Sequence, residues 1–296
     1  MANKMVIVND NNDIDREVTS YKPDTVIIEA LWVTPEKFGV LTKLHPNVKW
    51  VVRLHSEIPF LAMEGISIEW IKKYYKYTNV HVASNSLRAC ADLRCLIGEE
   101  VFYLPNYYPI DDSVVRPFRT NFTEHNIINI SCFGAIRPFK NQISQAIAAI
   151  KVAERLHRKL KFHINATRIE QNGNSIYKNL VSLFADSKHE LVEWDWLRHE
   201  LFLNVVRNNI DVGMQVSFSE TYNIVAADHI NMNIPVVSSD EIGFVSSIFK
   251  ANPTDLKDIE DKLYRTVLLM GDEINSWNKI LLQKQNETCI AAWGCI

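Results

Sequence analysis

The segment FGAIRPFKN (133–141) combines a glycine, two cations and the approach to a helix. Gly134 permits a tight turn, and Arg137 and Lys140 follow within the same loop. Backbone N–H groups at a helix start, the helix dipole and two cations together make an anion site, above all for phosphate. The segment SFSETYNIVAADH (217–229) sets Glu220 at an expected helix start and Asp228 eight residues on. Eight helical residues turn about 80° beyond two full turns and rise about 12 Å, so both carboxylates lie toward one side. One is placed to reach a bound sugar and the other a ribose. The amides of Thr221, Tyr222 and Asn223 would point out of that helix start toward a phosphate. Taken singly, each segment has a plainer reading: a solvated loop with surface cations, or an acid favoured by the helix dipole.

Alternating elements must position these residues. In the first third, strand patterns at 4–9, 24–33, 48–56, 80–84 and 100–106 alternate with helix patterns at 10–22, 34–46, 65–77 and 87–98. Thr34 before Pro35 is an N-cap followed by proline in the first turn, and Gly98 is a helix stop. The stretch 105–126 carries three prolines and little periodicity, a hinge signature. The pattern then restarts. Strands are expected at 127–134, 159–167, 190–195, 210–217 and 234–239, and helices at 142–158, 175–187, 197–209 and 220–232. Two more helices fill the tail, near 253–270 and 272–292. This alternation predicts an α/β protein of two Rossmann-like halves, each a parallel sheet covered on both faces. Such halves facing each other make a cleft at the carboxyl ends of their strands.

Composition narrows the chemistry. With 32 Lys+Arg against 35 Asp+Glu the net charge is −3, which gives no global argument for nucleic acid. The 47% hydrophobic and 23% charged fractions fit a soluble globular chain and exclude broad disorder. The nine glycines are so spread that neither GxGxxG nor a P-loop can be written, which argues against those nucleotide-binding classes. Cys90, Cys95, Cys132, Cys289 and Cys295 form no CxxC, so a zinc ribbon or a redox pair is not supported and reduced thiols are expected. No apolar stretch is long enough to span a membrane, and the apolar run near the first residues is too short for a signal peptide, so a cytoplasmic protein is expected.

In order and spacing, the motifs over about 105–245 resemble those of retaining nucleotide-sugar glycosyltransferases of the two-Rossmann (GT-B) type with an E-x7-E motif. Pro105 and Asn106 match the end of that family's first half, and Gly134 and Lys140 match its strand–Gly–x5–Lys opening of the second. Glu220-x7-Asp228 stands for E-x7-E, followed by Ile234, Pro235, Val236, Val237 and Ser238. There are departures. Ala135 stands where the family has arginine directly after the glycine, the second acid is a shorter Asp, and the glycine-rich loop after the first strand is absent.

The resemblance implies an N-terminal acceptor domain (1–108), a hinge (109–125), a C-terminal donor domain (126–270) and a last helix (271–296) packing back on the first domain. It implies catalytic roles for His55, Glu220, Arg137 and Lys140. Donor binding would fall to Gly134, Arg137, Lys140, Glu220, Thr221, Tyr222, Asn223, Asp228 and Trp194. His55 also reads as a strand-end histidine bonded to a backbone carbonyl, and Trp194 as core packing. Ser56 and Glu57 follow His55 and could meet either substrate. No metal and no cofactor beyond the nucleotide-diphosphate sugar are implied. Asp111 and Asp112 sit in the hinge and are set aside as a metal motif.

The short, glycine-poor chain looks like phage-encoded members of this family, active in a host cytoplasm. Its first half is locally basic (Lys37, Lys43, Lys49, Arg53, Lys72, Lys73, Lys76, Arg88), which suits double-stranded DNA carrying a hydroxylated base as acceptor. Cell-surface glycan assembly is the second reading, since the basic, aromatic stretch Trp70–Tyr77 also suits an anionic membrane surface without insertion. A non-catalytic binding module of the same fold is the third. The oligomeric state is not legible.

Overall fold

The computed structural model describes residues 3–114, 126–269 and 272–294, with 272–275 as backbone only. The chain forms two compact units, Met1–Asn106 with Ala291–Ile296, and Tyr107–Ile290. Of the expected hinge, residues 115–125 lie outside the described residues, as does Cys295.

The first unit runs α1 (Asp13–Tyr21), β1 (Thr25–Glu29), α2 (Pro35–Leu44), β2 (Lys49–Leu54), α3 (Ile58–Leu61), α4 (Ser67–Tyr74), β3 (Val80–Ser84), α5 (Leu87–Ile97) and β4 (Val101–Tyr103). Its four strands are all parallel, in the order β1-β2-β3-β4. The caps form as the residues demand. Thr34 accepts from the Lys37 amide with Pro35 in the first turn of α2, and Gly98 closes α5 at φ 73°. Burial on both faces explains the near-continuous apolar runs of β2 and β3. Phe38 from α2 meets Trp50 and Tyr74 edge-on, at 5.9 and 5.3 Å between ring centres, and the Tyr74 hydroxyl donates to the Val33 carbonyl. Trp293 belongs to this unit: its indole donates to the Pro105 carbonyl and its ring lies beside the Arg53 guanidinium.

The expected strand at 4–9 is not formed. Met5 and Ile7 are exposed and only Val8 packs on the core, so β1 becomes the edge of the sheet. The strand expected over 24–33 ends early at Glu29, because Ala30 turns the chain at φ 66°.

The second unit runs β5 (Ile127–Ser131), α6 (Gln142–Arg155), β6 (Lys159–Asn165), α7 (Gly173–Ala185), β7 (Glu190–Trp194), α8 (His199–Asn209), β8 (Val212–Gln215), α9 (Ile224–Asn231), β9 (Val236–Ser238) and α10 (Leu256–Leu268). Most of the last helix, α11 (Asp272–Trp293), stays with this unit, where Asn278 accepts from the Ser246 N–H and Leu282 joins the apolar cluster of Ala227 and Ile230. Only its end, from Ala291, groups with the first unit, so the expected packing of the whole helix on the first unit is not what forms. The sheet is parallel throughout, in the order β7-β6-β5-β8-β9. A chain that starts in the middle and winds outward both ways changes direction between β5 and β8, and the loops leaving those two strands meet there. A polar thread runs through this core. His163 on β6 is buried, its Nε2 lies 3.1 Å from Asn129 Oδ1, and its Nδ1 accepts from the Trp194 indole at 3.0 Å. Asn129 in turn donates to Asp211.

Two predictions follow from this packing. A Cβ at Gly173 would lie 2.1 Å from the Ile136 carbonyl oxygen, whereas one at Gly65 would meet nothing within 4 Å. Gly173→Ala should therefore lower stability by about 1–3 kcal/mol in urea unfolding, and Gly65→Ala should stay within about 0.5 kcal/mol. Burial, helped by nearby Lys161, pushes the His163 imidazole down to about 4 from an ordinary 6.5. As pH falls from 6.5 toward 4 the unfolded chain takes up a proton that the folded chain refuses, so about 3 kcal/mol of stability is lost across that window. Urea midpoints at pH 7, 6, 5 and 4 should show this loss in the wild type. In His163→Asn they should start lower but lack this component, whereas parallel curves would contradict the assignment.

Candidate functional site

The loops leaving β5 and β8 are sewn together by amide side chains. Gly134 adopts φ 114°, a conformation open to glycine, and its N–H donates to Asn165 Oδ1 at 2.9 Å. Ile136 then pairs with the loop after β6: its N–H donates to the Arg168 carbonyl and its carbonyl accepts from the Glu170 N–H. A single 3-10 turn, Pro138–Lys140, follows, and Asn141 leaves it in the left-handed region at φ 54°. The Asn141 side chain donates to the carbonyls of Val216 and Pro253. The Gln145 side chain donates to the Lys140 carbonyl at 2.7 Å and accepts from the Val216 N–H at 2.8 Å. Lys140 is thereby held over the end of β8.

There it meets Glu220. Lys140 Nζ donates to Glu220 Oε1 at 2.5 Å, and both residues are only 8% exposed. The Asn223 side chain also donates to Glu220 Oε1, at 3.2 Å, and to Gln215 Oε1, at 2.9 Å. The same Asn223 accepts from the Ala226 N–H and caps α9. The helix expected from Glu220 therefore opens at Ile224. Thr221, Tyr222 and Asn223 lie in the loop before it, and their amides are not helix-start amides. The physical reason is competition: asparagine is the stronger cap, while Glu220 is drawn to Lys140. The Glu220 N–H donates instead to the Glu241 carboxylate at 3.1 Å, and the Tyr222 ring packs on Phe244.

Asp228, one turn into α9, is 2% exposed. Its Oδ1 accepts from the Tyr108 hydroxyl and lies the same 2.7 Å from His199 Nε2. Burial holds this carboxyl above its ordinary range, and the bonds from Tyr108 and His199 pull the other way. Tyr108 is itself buried and clamped, its backbone exchanging two hydrogen bonds with the Asn286 side chain. Neither Tyr108 nor His199 was singled out in the sequence. They lie 120 and 29 residues from Asp228, and no local pattern links them.

Arg137 is three-quarters buried and pairs with Glu170 at 3.3 Å. Arg168 shares that carboxylate and lies over the exposed ring of Trp196. Trp194 is half-buried, its indole N–H donates to His163 Nδ1 and the two rings stack.

In the first unit, His55 follows β2 half-exposed, its Nε2 2.5 Å from Glu29 Oε2. Nε2 thus meets a carboxylate. Arg53, 4% exposed, orders this corner: it donates to the Leu104 carbonyl, to Glu29 and to Asn106 Oδ1. Burial works against ionisation of Glu29, but His55 and Arg53 outweigh it and hold the carboxyl below its ordinary range. Glu29 escaped the sequence reading because its pairing is between strands. The turn beside it, where alanine at φ 66° stores about 1–2 kcal/mol of strain, carries no sequence signal, because alanine does not announce a left-handed residue. Glu57 is buried against Ser86 and Arg88.

No protein-family model matches the chain, and no curated protein does. Solved structures match it over nearly its whole length. The apo structure of OtsA aligns with a TM-score of 0.71 at 13% identity, over 96% of this chain and 74% of that one. A UDP-forming α,α-trehalose-phosphate synthase from Burkholderia xenovorans, in complex with glucose-6-phosphate, gives 0.69 at 13% identity, over 93% and 74%. The trehalose-6-phosphate protein from E. coli bound with UDP-2-fluoro glucose gives 0.67 at 11% identity, over 95% and 73%. Such likeness carries the architecture, and with the two parallel sheets described above it shows that this chain has the GT-B fold.

Proposed function

We propose that the chain is a retaining glycosyltransferase that moves a sugar from a nucleotide-diphosphate donor, a UDP-sugar, to an acceptor hydroxyl. The second unit would bind the donor and the first the acceptor. The observation that carries this reading is the Lys140–Glu220 pair, two charges buried together at the strand ends of a Rossmann-like sheet. A buried ion pair is a poor source of stability, because desolvation offsets the attraction. A ligand that uses both charges accounts for it. Lys140 meets the diphosphate and Glu220 holds the hydroxyls of the sugar.

The bond to break joins the anomeric carbon to a phosphate oxygen. Its cleavage builds negative charge on the departing nucleotide, and Lys140 and Arg137 stabilise that charge in a preformed, largely dry setting. Arg137 reaches the phosphate by exchanging its bond to Glu170. The sugar becomes oxocarbenium-like, and the acceptor hydroxyl attacks from the face the nucleotide leaves. Its proton passes to the departing phosphate oxygen, so no enzyme base and no cofactor beyond the donor is needed. His55, oriented by Glu29, is the first unit's candidate catalytic residue.

The first acceptor reading is a small hydroxylated molecule, supported by one similar structure, of a protein in complex with glucose-6-phosphate. The basic residues counted toward duplex DNA are in good part used within the unit. Lys73 pairs with Glu69 and Glu36, Lys49 lies over Phe102, Arg53 is buried in its network, and Arg88 pairs with Glu57. Hydroxylated phage DNA, with the host cytoplasm as its location, stands as the second acceptor reading. No helix among the described residues is long and apolar enough to cross a membrane.

Calorimetric titration with UDP, GDP and their common sugars tests the donor site. Lys140→Ala or Glu220→Ala leaves a lone buried charge and should cost about 3–5 kcal/mol of stability. The double variant K140M/E220Q removes both charges at similar volume and should stay folded while binding at least tenfold more weakly. Full binding by the folded double variant would refute the site. Release of UDP with a sugar or sugar-phosphate acceptor, against release with hydroxylated duplex DNA that fades with salt, separates the two acceptors. Saturable binding without turnover on any acceptor would favour the non-catalytic reading.

A further inference from the structure

The acid at the second E-x7-E position is not open to a ligand. Asp228 is 2% exposed, and one of its oxygens already serves the Tyr108 hydroxyl and His199. Tyr108 closes the inner side, fixed by Asn286 and packed in a cluster with Ala227, Ile230 and Leu282. His199 lies toward the solvent: it is the first residue of α8, just past the end of β7, and its side chain is 55% exposed. Both residues belong to the strand-end edge that carries Lys140 and Glu220, since α8 follows β7 and α9 follows β8 in a parallel sheet.

From this arrangement we infer that His199, anchored by Asp228, is the group this chain presents to the ribose hydroxyls of the donor nucleotide. The inference rests on the donor reading above and names the residue that reads the ribose in that same site. A buried carboxylate bonded to Nε2 selects the tautomer with its proton on that nitrogen. Nδ1 is then left as an acceptor on an exposed ring, and a ribose hydroxyl donates to it. The imidazole extends the reach of an aspartate that is itself only 2% exposed. Asp228 acts through His199 as a positioning residue, and Tyr108 fixes Asp228 from behind.

The test uses ligands that differ only in the ribose. Calorimetry compares UDP with 2′,3′-dideoxy-UDP, and GDP with its dideoxy analogue, on the full chain. The wild type should prefer the ribonucleotide by about tenfold, the scale of one or two hydrogen bonds. His199→Ala and His199→Leu should bind both forms alike, at the affinity of the wild type for the dideoxy form. Circular dichroism and the melting temperature of each variant show that it is folded. Asp228→Asn should shift the His199 ring nitrogen resonances in a long-range ¹H–¹⁵N spectrum and shrink the preference. If the wild type prefers the ribonucleotide and both His199 variants keep that preference, the inference is overturned while the donor site stands. Equal binding of both forms by the wild type also overturns it. If neither UDP nor GDP binds, the donor reading fails first and this inference falls with it.

Discussion

Two opposite charges held together out of water, Lys140 and Glu220, set the terms for the second unit. Neither can be buried alone, and their pairing across the ends of β5 and β8 requires both loops to be fixed. The neighbouring amides serve that requirement. Gln145 bridges the Lys140 carbonyl and the Val216 amide, Asn141 ties the same loop to Val216 and Pro253, and Asn223 divides its side chain between Glu220, Gln215 and its own helix. Two glycines there meet strict geometric demands: φ 114° at Gly134, and the close approach of Gly173 to Ile136. Rigid support of this kind is what electrostatic stabilisation of a leaving group needs, because donors already in place lose nothing to reorganisation.

The first unit solves a similar problem around Arg53. Its guanidinium is buried among the Leu104 carbonyl, Glu29 and Asn106, beside the ring of Trp293. The network links the ends of β1 and β2 with the chain after β4, and it leaves His55 half-exposed on a fixed carboxylate. The turn at Ala30 that makes room for it is held by the Arg53 carbonyl. Strain and buried polarity thus fall together at one edge of the sheet, the edge where α/β units bind ligands.

Much of the fold was legible because its signals are local. Thr34–Pro35 and Gly98 punctuate helices by local chemistry alone, and the apolar runs of β2, β3 and β8 announce burial on both faces. The misreadings have physical causes. The run at 4–9 is apolar enough for a strand but finds no place in the sheet. Glu220 looks like a helix-start acid until Asn223 takes the cap and Lys140 takes the acid. Gly134, Lys140, Glu220 and Asp228 could be named because each half of the motif that carries the resemblance lies within one strand–loop–helix unit, β5 to α6 and β8 to α9. Glu29, Tyr108 and His199 could not. Their partners lie 26, 120 and 29 residues away, and only the folded chain makes them neighbours.

The central claim is that the buried pair exists to receive a nucleotide diphosphate. A crystal structure of the chain grown with UDP tests it most directly. The account predicts a diphosphate oxygen within hydrogen-bonding distance of Lys140 Nζ, at the ends of β5 and β8, with the nucleotide beside α8 and α9. A nucleotide bound elsewhere, with Lys140 and Glu220 still closed on each other, would contradict it.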